Sequence, residues 1–359
     1  MLAAVETGGT SCRCALARAE APTVFLETAE FPTTTPADTI NCITSWLASR
    51  RYDALGVASF GPIDPGVSSP KYGFITKTPK PGWRDVNLLG PLKAVRPGVP
   101  VMFDTDVNAP AMAEYLFGGG VECGHTSCMY VTVGTGVGVG LVVNGKPVHG
   151  LLHPEGGHIP VAALPGDDFP GYSFKEQSVP FGGLHTPESI ASSVALSERL
   201  ALAKGTSAQK ADRSILASLP DNDPIWDHAA NALASLAATA VLLVSPERIV
   251  LGGGIMQRQA LFARIQDRVG VLLNGYLDVP TLTTRDGRAS YIGPSQWGND
   301  AGLVGALALA WQAHRSSRPA HECVASDINR TSRLANFSSG LLGVATCCGW
   351  TCLASPSKS

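Results

Sequence analysis

The chain has 359 residues, 45% of them hydrophobic and 16% charged, which is ample for a substantial core and suggests two domains rather than one. A formal net charge of -2 gives none of the basic footprint needed to neutralise a phosphate backbone, so nucleic acid is excluded as an expected partner. Met1 runs into Leu2–Val5 with no basic region ahead of a long apolar one, so no signal peptide and no membrane surface are expected, and the default compartment is the cytoplasm.

Residues 1 to 18 read as strand, turn, strand, with Thr7-Gly8-Gly9-Thr10 at the tip. Paired glycines beside threonines let backbone amides converge on an anion; an ordinary hairpin turn is the plainer reading. Cys12 and Cys14 alternate with Arg13 and so share one face of the second strand, as small core residues do. The chain's 9 cysteines show no paired metal-finger spacing and read as reduced thiols.

Thr35-Pro36-Ala37-Asp38 has the form of an N-cap followed by proline at the first helical position, opening a helix to about Ser49. Leu55 to Phe60 is a buried strand. The long loop after Gly61-Pro62-Ile63-Asp64 carries Thr78-Pro79-Lys80-Pro81-Gly82-Trp83, which either walls a polar ligand or forms a rigid surface connection. A short helix is expected from Asn87 to Ala94.

Val101 to Asn108 is an apolar run that ends in Asp104, Asp106 and Asn108. It reads as a buried strand delivering polar groups at its carboxyl end, where ligands bind in open α/β sheets. Either carboxylate can act as a general base, or can cap the helix expected over Ala109–Leu116; alone, the pattern favours capping.

Near residue 118 the chain starts again. Ser127 to Val133 is a strand leading to Gly134-Thr135-Gly136 and a further strand, a second glycine-threonine hairpin. Such repetition suggests a duplicated fold with two tips facing across a cleft as a phosphate clamp. Neither tip is a Walker A loop or a dinucleotide-binding fingerprint, because the glycines lie within a hairpin.

Glu155 and His158 stand three apart around two glycines, so a carboxylate and an imidazole are displayed together, suited to the hydroxyls of a polyol. A loop with a chance histidine is the alternative. Thr186-Pro187 reads as another cap and first helical residue, placing Glu188 in a first turn, where the helix dipole alone justifies an acid. A long buried helix is expected over Asp227–Val244. Gly252-Gly253-Gly254 then follows a strand, either admitting a flat ring such as adenosine or allowing close packing. Gly298-Asn299-Asp300-Ala301-Gly302 opens a last helix to about Ala313.

Taken together, Glu6–Thr10, Asp104–Asn108, Gly134–Gly138, Glu155–His158, Leu251–Gly254 and Gly298–Gly302 resemble, in their order, the motifs of the ROK family of sugar kinases. The resemblance spans residues 1 to about 313, and the loops Ser59–Asp64 and Thr78–Trp83 are similar to its fructokinase branch. It implies an α/β fold of the actin-like ATPase (ribonuclease H-like) class, with two domains around a nucleotide and sugar cleft. On that pattern residues 1–117 form an N-terminal domain, 118–297 a larger C-terminal domain and 298–313 a helix returning to the first. The tail 314–359 has no counterpart and is expected to be disordered, Cys347-Cys348 being a candidate acylation site.

The implied activity is ATP-dependent phosphorylation of a hexose, D-fructose foremost, with glucose, mannose or N-acetylmannosamine as alternatives. A catalytically impaired sugar-binding protein is a further alternative. A repressor of the same family would need a DNA-binding domain ahead of residue 2. By position Asp106 matches the general base, and Asp104, Asn108, Glu155, His158 and Glu188 match sugar-site positions. Gly8, Gly9, Thr10, Gly134, Thr135, Gly136, Gly252, Gly253 and Gly254 match the nucleotide site, and Glu6 a magnesium contact, direct or through water. The resemblance also implies a homodimer. One departure is plain: relatives build a zinc site from the motif histidine and three cysteines, whereas residues 159 to 187 contain no cysteine. Zinc is therefore not expected.

Overall fold

The computed structural model describes residues 1–172, 185–205 and 214–318. By internal contacts the chain divides into two compact units, one of Met1–Asp106 with the chain from Ala306 onward, the other of Val107–Gly305.

The first unit opens with a meander of β1 (Leu2–Thr7), β2 (Ser11–Arg18) and β3 (Ala21–Pro32). Helix α1 (Pro36–Ala48) and strand β4 (Ala54–Ser59) follow, then a short ribbon of β5 (Phe74–Ile75) and β6 (Val86–Asn87), helix α2 (Leu89–Val95) and β7 (Val101–Thr105). The sheet order is β3-β2-β1-β4-β7, with β1, β4 and β7 parallel. Every residue of β4 is buried, as expected of a parallel strand covered on both faces. The expected cap of α1 is present: the Asp38 N–H donates to Thr35 Oγ1 at 3.2 Å, and the helix buries Ile43, Trp46 and Leu47. Helix α2 begins later than its composition suggests. Asn87 stays in β6, and its Oδ1 accepts from the Gly90 N–H at 2.9 Å. Cys12 and Cys14 are both fully buried, and burial pushes both thiols up.

The second unit begins with α3 (Asn108–Phe117), which packs on β8 (Cys128–Val133) and β9 (Val137–Val143); β10 (Lys146–Pro147) completes the meander. The division between units thus precedes this helix, whereas the sequence pattern placed a break after it. Helices α4 (Pro187–Ala191), α5 (Ser193–Ala203), α6 (Ile215–Ser218) and α7 (Ile225–Leu243) lead to β11 (Ile249–Gly252). Then come α8 (Ala260–Leu273), α9 (Pro280–Thr283), α10 (Arg285–Tyr291) and β12 (Ile292–Pro294). The order β10-β9-β8-β11-β12, with β8, β11 and β12 parallel, repeats that of the first sheet strand for strand. Alanine-rich α7 is the centre of this unit's core, buried on nearly every side between Ile225 and Val241 and packed against both α8 and α4.

The last helix, α11 (Ala301–Ser316), follows a 3-10 turn over Gly298–Asp300 and so starts within the motif rather than at its first glycine. In the first unit its backbone lies directly on β4, where a Cβ on Gly56 would stand 1.9 Å from the Ala306 carbonyl oxygen. The chain stays helical to Ser316; residues 319–359, including Cys347 and Cys348, lie outside the described residues. No helix among the described residues is long and apolar enough to cross a membrane.

Candidate active site

In the first unit β1, β4 and β7 end side by side, with Thr7, Ser59 and Thr105 in register. Thr7 Oγ1 donates to Ser59 Oγ at 3.0 Å, the Phe60 N–H to Thr7 O at 3.0 Å and the Asp106 N–H to Ser59 O at 2.8 Å. These bonds fix the backbone on which the acidic pair stands. Asp104 is fully buried and accepts the Thr105 N–H at 2.7 Å, while Asp106 is partly exposed. The N-cap of α3 is Val107, with no side-chain cap bond, so neither carboxylate occupies the cap position.

The first glycine tip is tied from two sides. The Gly8 N–H closes the turn on Ser11 O at 2.9 Å, and Gly8 O accepts from Thr33 Oγ1 at 2.8 Å. The Gly8 amide is therefore committed, leaving those of Gly9 and Thr10 as the tip's donors without a protein acceptor among the described residues. Lys80, in the loop expected either to wall a ligand or to form a surface connection, donates from its Nζ to the Gly9 carbonyl. Its loop is held by buried Trp83, whose Nε1 donates to Thr34 O at 3.0 Å. Glu6 lies on β1 with Arg13 Nη1 at 3.8 Å.

In the second unit the matching tip is built around Glu188. The Gly134 N–H closes on Gly136 O at 2.9 Å, Gly134 O accepts from the Ser193 N–H at 2.8 Å, and the Val137 N–H donates to Glu188 Oε2 at 3.0 Å. Thr135 is exposed at the apex. Glu188 sits in the first turn of α4, whose capping box pairs Thr186 and Ser189 as the Thr-Pro signature suggested. Burial raises the Glu188 carboxyl above the usual carboxylate range, opposed by His158 and the Val137 N–H and reinforced by Glu155. His158 Nε2 lies 3.8 Å from Glu155 Oε2, and His153 Nδ1 lies 3.6 Å from Glu155 Oε1. The 3-10 turn Gly156–His158 rests on β9 so closely that a Cβ on Gly157 would be 1.7 Å from Val137 O. Glu155 and His158, three apart in sequence, therefore lie near Glu188, about thirty residues further along the chain, in this unit.

Other predicted residues have defined structural duties. Asn108 is fully buried and its Oδ1 accepts the Leu141 N–H at 3.1 Å, joining α3 to β9. Gly252 faces the Tyr130 hydroxyl and Gly253 has φ +90, with Val133 O 2.5 Å from where a Cβ would be. Close packing accounts for both. A Cβ on Gly254 would meet nothing within 4 Å, so this position faces open space.

The donor set does not fit a structural zinc. His185 Nε2 lies 2.9 Å from Phe169 O, His158 faces Glu155, and no cysteine occurs between them. Magnesium is different. It needs only one or two carboxylates when phosphates supply the other oxygens, and Glu6 and Asp106 are carboxylates at this sheet edge.

The ROK family profile matches residues 2–313. This chain belongs to the ROK family. It is 34% identical over 317 residues to a fructokinase of Pediococcus pentosaceus, covering 88% of this chain and 100% of that one. It is 36% identical over 321 residues to a fructokinase of Zymomonas mobilis, covering 86% and 96%. Among solved structures, a ROK family glucokinase from Streptomyces griseus in complex with glucose and AMPPNP superposes with a TM-score of 0.64 at 24% identity, covering 87% and 99%. The fold is that of the actin-like ATPases, in keeping with the duplicated sheets.

Proposed function

We propose that this ROK protein transfers the γ-phosphoryl group of ATP to a hexose, with D-fructose as substrate and fructose 6-phosphate as product. The observation that carries the catalytic assignment is the partly exposed Asp106, held at the end of β7 by its N–H bond to Ser59 O beside buried Asp104. The substrate assignment is supported by relatives named fructokinases at 34% and 36% identity.

Asp106 orients the attacking hydroxyl and accepts its proton as the oxygen approaches the γ-phosphorus in line. Glu155, His158 and Glu188 hold the remaining hydroxyls, which fixes the hydroxyl that reacts. The Gly9 and Thr10 amides receive phosphate oxygens, and Gly254 leaves room beside the backbone for the adenosine. When magnesium is bound, Glu6 would help hold it, directly or through water, and the metal would supply charge compensation for the transferring group. The protein works in the cytoplasm as a homodimer and without zinc.

A coupled ADP-release assay across fructose, glucose, mannose and N-acetylmannosamine tests this reading. Fructose should give the highest kcat/KM, and Asp106→Asn should lower kcat by about a thousandfold, within the range of general-base catalysis. No sugar-dependent turnover would remove the kinase function, a preference for another hexose would reassign the substrate, and an active Asn variant would remove Asp106 as base.

A further inference from the structure

The chain between the two groups of sugar-site residues is anchored at one carboxylate. Asp167 has a side chain only 3% exposed and takes a bidentate pair from Arg199 on α5, with Nη1–Oδ1 2.6 Å and Nη2–Oδ2 2.9 Å. His228 on α7 places Nδ1 3.0 Å from Oδ2, and the Phe169 N–H donates to Oδ1 at 3.2 Å. The Arg199 guanidinium also stacks 4.3 Å over the Phe169 ring. A third tie comes from α7, where Asn231 Nδ2 donates to Ala162 O at 2.8 Å.

The anchored segment leads directly to the site. It begins after His158, and the segment carrying Glu188 is bonded to it at three points. The Val161 N–H donates to His185 O at 2.9 Å, His185 Nε2 meets Phe169 O at 2.9 Å, and the Tyr172 N–H donates to Ser189 O at 2.7 Å. Thr186 then caps α4, and Glu188 reaches the Val137 amide. Helix α5, which supplies Arg199, also donates from the Ser193 N–H to the Gly134 carbonyl of the glycine tip. We propose that Asp167 is a positioning residue for sugar binding: its clamp to Arg199 and His228 sets where His158 and Glu188 stand relative to each other.

The ionic form of the clamp holds at neutral pH. Arg199 beside Asp167 lowers its carboxyl to about 2, and burial together with Arg199 keeps His228 below its ordinary range, so His228 is mainly a neutral partner there. Removing the carboxylate leaves Arg199 nearly buried without its anion, which loosens the segment rather than merely weakening one contact.

This inference rests on the sugar-kinase reading, and its test separates the two. Full-length wild type, Asp167→Asn and Asp167→Glu are compared by steady-state kinetics and by hydrogen–deuterium exchange. In Asp167→Asn the sugar KM should rise about tenfold, a loss near 1.4 kcal/mol, with the ATP KM unchanged. Exchange should accelerate in residues 159–172 and 185–192 and stay as in wild type along β1, β4 and β7. Asp167→Glu, which keeps the charge, should recover part of the sugar KM. Unchanged exchange in those segments, faster exchange everywhere, or sugar and ATP KM rising together would each overturn the positioning role. If wild type turns over no sugar, the kinase reading falls, and the exchange arm still decides whether Asp167 orders both segments.

Discussion

At the scale of single residues, Gly136 and Glu188 have to be understood together. A Cβ on Gly136 would lie 2.5 Å from Glu188 Oε2, so the glycine is required by the carboxylate beneath it as much as by any phosphate above. Gly136→Ala should displace Glu188 from the Val137 amide and raise the sugar KM by about tenfold, the cost of one charge-assisted hydrogen bond. A sugar titration of the variant with an unaltered far-UV spectrum checks it; an unchanged sugar KM would mean that Glu188 moves without consequence. Lys80 gives the complementary case. Its bond to the Gly9 carbonyl predicts that Lys80→Met raises the ATP KM about tenfold and leaves the sugar KM alone, read in the same assay with ATP varied. The helix start at Glu188 was legible because an acid after Thr-Pro is a helix-start signal, whereas its bond to the Val137 N–H was not. That the Gly8 and Gly134 amides close their own turns was not legible, because glycine spacing does not say which N–H points inward.

The elements were legible where the signal was local. Thr35-Pro36 and Thr186-Pro187 both became capped helix starts, since side-chain oxygen, proline and acidic first turn act within four residues. Helix α2 is where it was expected but starts two residues later, because Asn87 satisfies a backbone donor from a strand, an alternative that propensity does not register. The helix α11 shows what a local reading misses entirely. Its Ala, Gly and Leu composition signals burial, but not that its backbone touches β4 at Gly56. Gly56→Ala has no room against the α11 backbone, with Ala306 O at 1.9 Å and Ala310 N at 2.5 Å from the added carbon. It should destabilise the protein by about 3 kcal/mol, the upper range for overpacking, measured by urea unfolding. A loss under about 0.5 kcal/mol would show that helix and strand separate easily, as at an ordinary surface site.

For the whole molecule, the repeat of one sheet order in two units was visible as strand, glycine tip, strand, twice over, because each meander is contiguous in sequence. The later strands β11 and β12 are separated by helices, and their parallel pairing rests on contacts that no short motif encodes. A buried acid was equally hidden in the sequence and governs the pH dependence of stability. Glu114 lies on the inner side of α3, fully buried, with Oε1 accepting the Gln296 N–H at 3.3 Å. Burial pushes its carboxyl up to about 7 from 4.5, against the lowering effect of Ser295, the Gln296 N–H and the cation of Arg248. Arg248 and Cys128 face it, and burial depresses Arg248 and raises Cys128, so neither restores the charged carboxylate to its ordinary range. The folded state therefore favours protonated Glu114, while an unfolded chain ionises it near 4.5. Its contribution to stability is full below that value and is lost as the pH rises to about 7. The difference corresponds to about 3 kcal/mol across the window, by linkage. Glu114→Gln keeps an acceptor for Gln296 and cannot ionise, so its stability relative to wild type should climb by about 3 kcal/mol between pH 4.5 and 7 and level off above. Urea unfolding of both proteins at half-unit steps decides the matter: a difference that stays constant over that range would mean Glu114 is ionised in the folded protein.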